Sequence, residues 1–414
     1  MTGLSPVTVL DREVFMDILR GFAILGIFIA NLNSFNFYDE SARLTGPFLM
    51  PDLDHNMSFL QHMFIEGKFY TIFGLLFGWG IALQFKRGEA KDINVLPTVK
   101  RRLLFMLLLG FSHLLIWTGD IVFFYGILAF LLLPFRRFSD KTLLLIGIGM
   151  ILSPILLYAG KMQWEWFNAP SGLIFGLGES IDRALIGITS GEEYKTFTQT
   201  AGWWEILKGN ISGIFYRYGY LLFVSRIFKV LGIFLIGFVI GRSDFYKNIA
   251  LNKKIIYWII AFGIIIGLPA NYFLAYYMSE YMDDYWELKI NGFYQTLAYA
   301  LGVAPLAFAY VGLFMLSFQT GIGKKIMTPL APVGKMAFSN YVTHSFIGNF
   351  VFLNAGLGYM GQVGPVYCTL FAIFVFVLQI LLSNVWLHYF NFGPIEWLWR
   401  SATYKKWQTL IRVS

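Results

Sequence analysis

Long apolar runs alternate with short polar gaps along almost the whole chain. The runs fall at about 14–37, 58–85, 103–117, 121–135, 142–159, 228–240, 255–277, 292–318, 333–353 and 365–390. A helix rises about 1.5 Å per residue, so ~20 apolar residues cross the ~30 Å hydrocarbon core of a bilayer. In lipid every backbone polar group must be bonded within the protein, which leaves a helix as the natural form of each run. The pattern therefore predicts an all-α, polytopic membrane bundle of about ten transmembrane helices.

The gaps differ in sign. Lys86, Arg87, Lys91, Lys100, Arg101 and Arg102 fill one; Arg136, Arg137 and Lys141 another; Arg242, Lys247, Lys253 and Lys254 a third; Lys324, Lys325 and Lys335 a fourth. The tail adds Arg400, Lys405, Lys406 and Arg412. The intervening gaps carry Asp39, Glu40, Asp52 and Asp54 against Arg43, and later Glu280, Asp283, Asp284 and Glu287. Basic loops stay on the cytoplasmic side, so both termini are expected there. The stretch 160–226 is mixed and aromatic. It reads as a long outer-side loop with one or two helices lying in the interface, and 206–224 as a re-entrant or additional segment. The whole of 1–414 reads as one transmembrane domain, with a C-terminal half from about 227 to 400.

Composition sharpens this picture. Hydrophobic residues make up 57% of the 414 and charged residues 14%, where soluble chains carry about 25% charged. That excludes two or three soluble domains. The excess of eight positive charges suits anionic lipid headgroups, with no need of nucleic acid as a partner. Cys368 is the lone cysteine, which excludes an intrachain disulfide and argues against a Cys-based metal site. The first run is too long for a signal-peptide core and reads as a retained span.

Polar residues at lipid depth are the candidate chemistry, since an ionisable group there is costly. In the first run Asp17 is three residues before Arg20, close enough to pair, and Arg20 shares a face with Asn31. Arg20 either snorkels to the headgroups or serves a buried role, and Asn31 either ties helices together or sits in a site. Glu66 and Lys68 are two apart and do not face each other on a helix, so each needs a partner elsewhere. His113 and Trp117 are i, i+4, and Asp120 lies one turn further, near the same face if the helix persists. A histidine held by a carboxylate is a general base or, equally, a satisfied buried pair. Tyr125 follows close by. Asn340 and His344 are also i, i+4, reading first as a structural pair. His55 falls in an outer gap and His388 near an inner end. No HExxH, P-loop or Gly-x-Ser-x-Gly motif occurs, which removes the main support for a metalloprotease, a nucleotide hydrolase or an α/β-hydrolase.

Several of these pieces resemble one family in order. They are Asp17-Ile-Leu-Arg20-Gly21 through Asn31; Glu66-Gly67-Lys68-Phe69 with Gly78-Trp-Gly80; Gly110-Phe-Ser-His113 through Trp117-Thr-Gly119-Asp120 and Tyr125; Gly334-Lys335-Met-Ala337-Phe-Ser-Asn340-Tyr341; and Phe392-Gly393-Pro394-Ile-Glu396-Trp397-Leu-Trp-Arg400. The chain resembles the DUF418, or YeiB-like, membrane proteins. That family is in turn similar to the transmembrane acyltransferases, which include the acyltransferase-3 enzymes and the heparan-α-glucosaminide N-acetyltransferases. The resemblance implies an acyl group taken from cytosolic acyl-CoA, as a co-substrate rather than a resident cofactor, and delivered outside. The position of Asn31 is a catalytic His in acyltransferase-3 enzymes and an Asn in the glucosaminide acetyltransferases. The latter also use a His shortly afterwards, where this chain has Ala42.

Two function classes follow. In the first, the chain is an acyltransferase-like protein of the cell membrane acting on an extracytoplasmic or lipid-linked acceptor. His113, Asp120 and Asn31 are then the catalytic candidates. Arg20, Glu66, Lys68, Trp117, Tyr125, Asn340 and His344 handle substrate, while Arg101 and Arg102 attract acyl-CoA phosphates, helped by Arg136 or Arg137. No metal is called for. In the second, the same polar residues line the path of a transporter or lipid-handling protein without covalent chemistry. A scaffold is a third reading. The pattern leaves the acceptor, the acyl chain and the oligomeric state open, a homodimer included.

Overall fold

A computed structural model describes residues 14–38, 48–188, 190–243, 245, 249 and 251–412. Asp39, Glu40, Ala42, Arg43 and Lys247, all used above, lie outside the described residues. Most of the described residues are helical, with one isolated antiparallel bridge between Phe390 and Ile411.

The helices are α1 (Val14–Asn36), α2 (Pro51–Phe64), α3 (Lys68–Glu89), α4 (Leu96–Ile116), α5 (Val122–Phe135), α6 (Asp140–Gln163), α7 (Ala169–Leu185), α8 (Gly191–Thr200), α9 (Trp203–Phe223) and α10 (Arg226–Arg242). They continue as α11 (Lys253–Phe262), α12 (Leu268–Glu280), α13 (Met282–Trp286), α14 (Ile290–Phe318), α15 (Gly321–Met327), α16 (Leu330–Lys335), α17 (Ala337–Phe352), α18 (Pro365–Tyr389) and α19 (Pro394–Tyr404).

Six segments among the described residues are long and apolar enough to cross a membrane: α1, α2–α3, α6, α11–α12, α14 and α18. The pair α9 and α10 passes together but bends by 71°, at Ser225, whose φ is +53°. Among the other runs, the 14 residues of α5 rise only roughly 21 Å. Within their apolar windows α1 is 67% buried, against 28% for α6 and 33% for α18. So α1 lies at the centre and α6 and α18 turn apolar faces outward, as lipid-facing helices do.

Small residues let the central helices touch. A Cβ on Gly78 would collide with the backbone of Phe234, and one on Gly237 with that of Leu75. The crossing of α3 and α10 is therefore backbone on backbone, the arrangement that maximises dispersion contact where lipid offers no hydrophobic drive. Gly21 meets Leu330, and Gly334 meets Asp17, in the same way between α1 and α16.

Basic gaps gather at one end of the bundle. Lys86 donates to the Arg242 carbonyl at 3.0 Å, and Arg242 pairs with Asp140 at 2.9 Å. Trp399 donates to the Arg102 carbonyl at 2.8 Å, bringing the C-terminal α19 to the same end. At the opposite end Tyr158, near the close of α6, donates to the Tyr285 carbonyl at 2.8 Å.

Three sequence expectations change. The second run is broken at Ile65–Gly67, where Gly67 has φ +83°, so Glu66 and Lys68 are not on one continuous helix. The stretch 160–226 is helical for most of its length, with α7 packed on α9. Finally His55, expected in a gap, lies within α2, 3.8 Å from Glu280; Pro51 at the first turn starts that helix early.

Candidate functional site

The site begins where α4 stops. Its last residue is Ile116, and Trp117 is extended at φ −154°. Thr118 and Gly119 turn the chain back, so Asp120 returns toward the helix that preceded it. The sequence reading placed His113, Trp117 and Asp120 along one persisting helical face. The contact is instead made by reversal, because Asp120 is drawn to the start of α5, where its Oδ1 accepts the Phe123 N–H at 2.7 Å.

The other carboxylate oxygen, Asp120 Oδ2, lies 2.6 Å from His113 Nδ1. On the far side of the ring, His113 Nε2 lies 2.8 Å from Ser345 Oγ on α17. An ionised carboxylate only accepts, so with Asp120 ionised Nδ1 carries the proton. The neutral ring then accepts the Ser345 O–H at Nε2. Serine, imidazole and carboxylate form one line, with all three side chains buried. Tyr341, one turn before Ser345, stands edge-on to the His113 ring with centroids 5.1 Å apart. Its hydroxyl accepts the Ile121 N–H at 3.2 Å, fixing the turn from the other side.

Two cavities approach this line from opposite ends. One, of about 450 Å³, opens at the basic end among Arg87, Arg102, Lys335 and Arg400 and runs past Arg20, Ile24 and Ile27 to Ile121 and Tyr341. The other, of about 820 Å³, is walled by Trp117, Tyr216, Arg217, Tyr220, Trp286 and Asn349, among others. Trp117 stacks on Phe35 at 4.4 Å and edges toward His113 at 6.3 Å. Tyr341 thus borders the first cavity and Trp117 the second, with His113 between them.

The remaining sequence candidates fall into two groups. Arg20, paired with Asp17 at 2.7 Å, and Arg102, stacked 4.4 Å over Trp399, border the basic-end cavity. Trp117 borders the opposite one. The others stand elsewhere. Arg101 donates from Nε to the Thr403 carbonyl and clamps α4 to α19. Lys68, fully buried, donates to the His62 carbonyl at 2.8 Å and so satisfies the exposed end of α2 at the break. Tyr125 donates to the Tyr70 carbonyl at 2.8 Å, tying α5 to α3. His344 stacks on Phe28 at 3.8 Å and meets Gln379 at 2.8 Å; Asn340 reaches Val333 and Ser383. These two belong to the seam between α17 and its neighbours. Half-buried Asn31 lies one turn beyond Ile27 and borders neither cavity. Among the described residues no hydrogen bond joins it to His113, whose second partner is Ser345.

Three further participants are not among the candidates the spacing picks out: Ser345, which no motif contains, and Tyr341 and Glu396, which stand only within the motifs of the resemblance. Ser345 and Tyr341 are i, i+4 on α17, one residue round from the Asn340–His344 face that drew attention. Only the neighbouring helix decides which of those faces meets His113. The third, Glu396, borders the basic-end cavity. Its Oε1 accepts the N–H groups of Phe338 and Ser339 at 2.7 and 3.0 Å, and its Oε2 the Ser339 hydroxyl at 2.5 Å. It caps α17 from another helix.

Residues 240–406 match the family model described as "Protein of unknown function (DUF418)". Over its full length the chain is similar to the "Uncharacterized protein YxaH" of Bacillus subtilis (strain 168), at 28% identity across 100% of this chain and 99% of that protein. It is also 28% identical to the "Uncharacterized protein YeiB" of Escherichia coli (strain K12), across 95% and 97% respectively. Residues 240–406 thus form a DUF418-like segment. The segment matched by the DUF418 model contains Tyr341, Ser345 and Glu396, whereas His113 and Asp120 precede it and fall in the part covered by the full-length relatives. The line through His113 therefore joins the DUF418 segment to the first third of the chain. No solved structure matches this chain.

Proposed function

We propose that the chain is a multi-pass protein of the cell membrane that moves an acyl group from cytosolic acyl-CoA to an extracytoplasmic or lipid-linked acceptor. The observation that supports this reading best is the buried line Ser345–His113–Asp120 between two cavities that approach it from opposite ends. A transfer across the membrane needs such a layer: reachable in turn from both sides and open to neither.

The topology that goes with it has ten crossings. The six long segments are joined by α4, α5, α17 and the bent α9–α10 pair. An even number returns both termini to the side of the basic gaps, which is the cytoplasm. Acyl-CoA then meets Arg87, Arg102, Lys335 and Arg400 through its phosphates. Its acyl chain follows the apolar wall of Ile24 and Ile27 toward Tyr341.

His113 acts as general base, with Asp120 holding its Nδ1 proton. Ser345 Oγ attacks the thioester carbonyl, a C–O bond forms and the C–S bond breaks. The serine proton passes through His113 Nε2 to the departing thiolate. An acceptor hydroxyl or amine from the larger cavity then attacks the acyl-serine, gives its proton to His113, and Ser345 recovers that proton as it leaves. Movements of Tyr341 and then Trp117 open the layer to one side at a time.

The test uses purified protein in lipid nanodiscs with radiolabelled acetyl-CoA. A label retained on the protein and mapped to Ser345 by mass spectrometry, and lost in Ser345→Ala, is expected. Absence of any label transfer under conditions where acyl-CoA binding is saturated would sink the reading. The same pair of cavities also suits a transporter with alternating access. Uptake of solute into proteoliposomes with no covalent product, undiminished in Ser345→Ala, would establish that alternative.

A further inference from the structure

The larger cavity is lined by a guanidinium that pairs with no carboxylate among the described residues. Of the ionisable residues along its wall, Arg183 lies 3.8 Å from Glu179, with both side chains well exposed. Asp182 accepts the Ser212 hydroxyl. Arg217 has no such partner. Among the described residues no carboxylate pairs with it, and its Nε is buried without any hydrogen bond. Its charged neighbour is another arginine, Arg226, and the groups around it are the phenols Tyr218, Tyr220 and Tyr341.

Arg226 repeats the problem. Its guanidinium lies 4.5 Å over the Tyr70 ring and reaches the Tyr220 hydroxyl only at 3.5 Å, and its Nε is also buried and unbonded. Lys229, 4.0 Å over the Tyr299 ring, adds a third cation in range of Arg226. The carboxylate that acts on this group is Glu66, which makes no ion pair among the described residues. Several buried cations acted on by Glu66 as their one carboxylate are an expensive arrangement. Removing a buried counter-charge typically costs about 3–5 kcal/mol, and here like charges are added to the deficit.

We propose that Arg217 and Tyr220 on the wall of the larger cavity, with Arg226 beside Tyr220, form a binding site for a phosphate group. A guanidinium presents a planar fork of donors that matches phosphate oxygens, and two adjacent forks need more oxygens than one carboxylate has. Tyr216, Trp286 and Trp117 line the remaining volume with flat apolar faces on which the body of a phosphate ester can rest. The site lies beside Tyr341, which touches His113. It would hold the acceptor of the transfer, so its role, though not the binding itself, rests on the function proposed above. The phosphate belongs either to a lipid headgroup or to a free phosphate ester.

Binding is measured on the full chain, delipidated in a neutral detergent, without any acyl donor. The probes are sodium pyrophosphate and dihexanoyl phosphatidylglycerol, and the readouts are calorimetric titration and the shift in melting midpoint. Saturable binding is expected for at least one probe, weakened tenfold or more by Arg217→Gln. Lys289→Gln, which removes an exposed cation paired with Asp284 at 3.5 Å, should leave it unchanged. Binding of phosphatidylglycerol alone assigns the site to a lipid headgroup, and binding of pyrophosphate alone to a free phosphate. Arg217→Lys serves if the glutamine variant does not fold; it keeps the charge, loses the fork and should still weaken binding. Binding of neither probe, or equal binding in both Arg217 variants and wild type, overturns the proposal. Because no acyl donor is present, that failure leaves the acyl-transfer reading untouched, and failure of label transfer leaves this site untouched.

Discussion

His113 and Asp120 are seven residues apart and 2.6 Å apart at their facing atoms. A helix would separate them by nearly two turns. The extended Trp117 and the turn after it bring them together, and Asp120 is fixed by its own bond to the start of α5. The imidazole is thereby locked in orientation, with its free nitrogen on Ser345.

That lock makes Asp120→Asn the sharpest test of the site. An amide at this position can donate to Nδ1, which reverses the tautomer and turns Nε2 into a donor. Acyl transfer is expected to fall by about 10²–10⁴-fold, the span associated with general acid–base catalysis, while folding and acyl-CoA binding persist. Turnover within a factor of two of wild type, measured with radiolabelled acetyl-CoA, would show that the pair is structural.

Glu396 carries a pH signature. Burial lifts its carboxyl above the ordinary range of about 4.3, against the hydrogen bonds it accepts from Ser339 and Phe338. The folded state therefore holds this proton more tightly than the unfolded chain. Stability from this group is complete below the ordinary value and is lost as pH rises through the raised one. Wild-type melting midpoints should fall relative to Glu396→Gln between mildly acidic and neutral pH. Parallel curves for the two proteins would contradict this.

Gly78 is a packing prediction. A methyl group there meets the Phe234 carbonyl, and neither backbone can yield without parting α3 from α10. Gly78→Ala should destabilise by about 1–3 kcal/mol, the usual penalty for overpacking. Gly149, whose Cβ would meet open space, is the control and should tolerate alanine. Thermal unfolding in detergent compares the two.

Lys68 holds the break in the second run. Lys68→Met keeps the length of the side chain but strands the His62 carbonyl, at a cost of about 1–3 kcal/mol. Hydrogen exchange should rise around residues 61–68 before it rises elsewhere. Protection unchanged there would mean that the bond to His62 contributes nothing.

Much of this was legible in the chain. Apolar run length is a local property, so the first run at 14–37 and the run at 292–318 matched α1 and α14 within a residue or two. The pairing of Asp17 with Arg20 needed only helical spacing. Failures came where the backbone left the helix. Gly67 and Ser225 adopt positive φ, and hydropathy does not register a one-residue bend. The charged pair Glu66 and Lys68 looked like two residues seeking distant partners, whereas Lys68 simply closes the end of α2.

The sequence by itself determined that this is a helical membrane protein, which end of the bundle is basic, and that His113 and Asp120 are costly residues in need of a reason. Composition and period suffice for that, because the bilayer imposes length and polarity on each helix separately. Only the tertiary structure decided that Ser345 rather than Asn31 meets His113, and that Arg217 lines a cavity with no carboxylate paired to it among the described residues. Those facts depend on how helices rotate against one another, and that rotation is set by contacts between residues hundreds of positions apart.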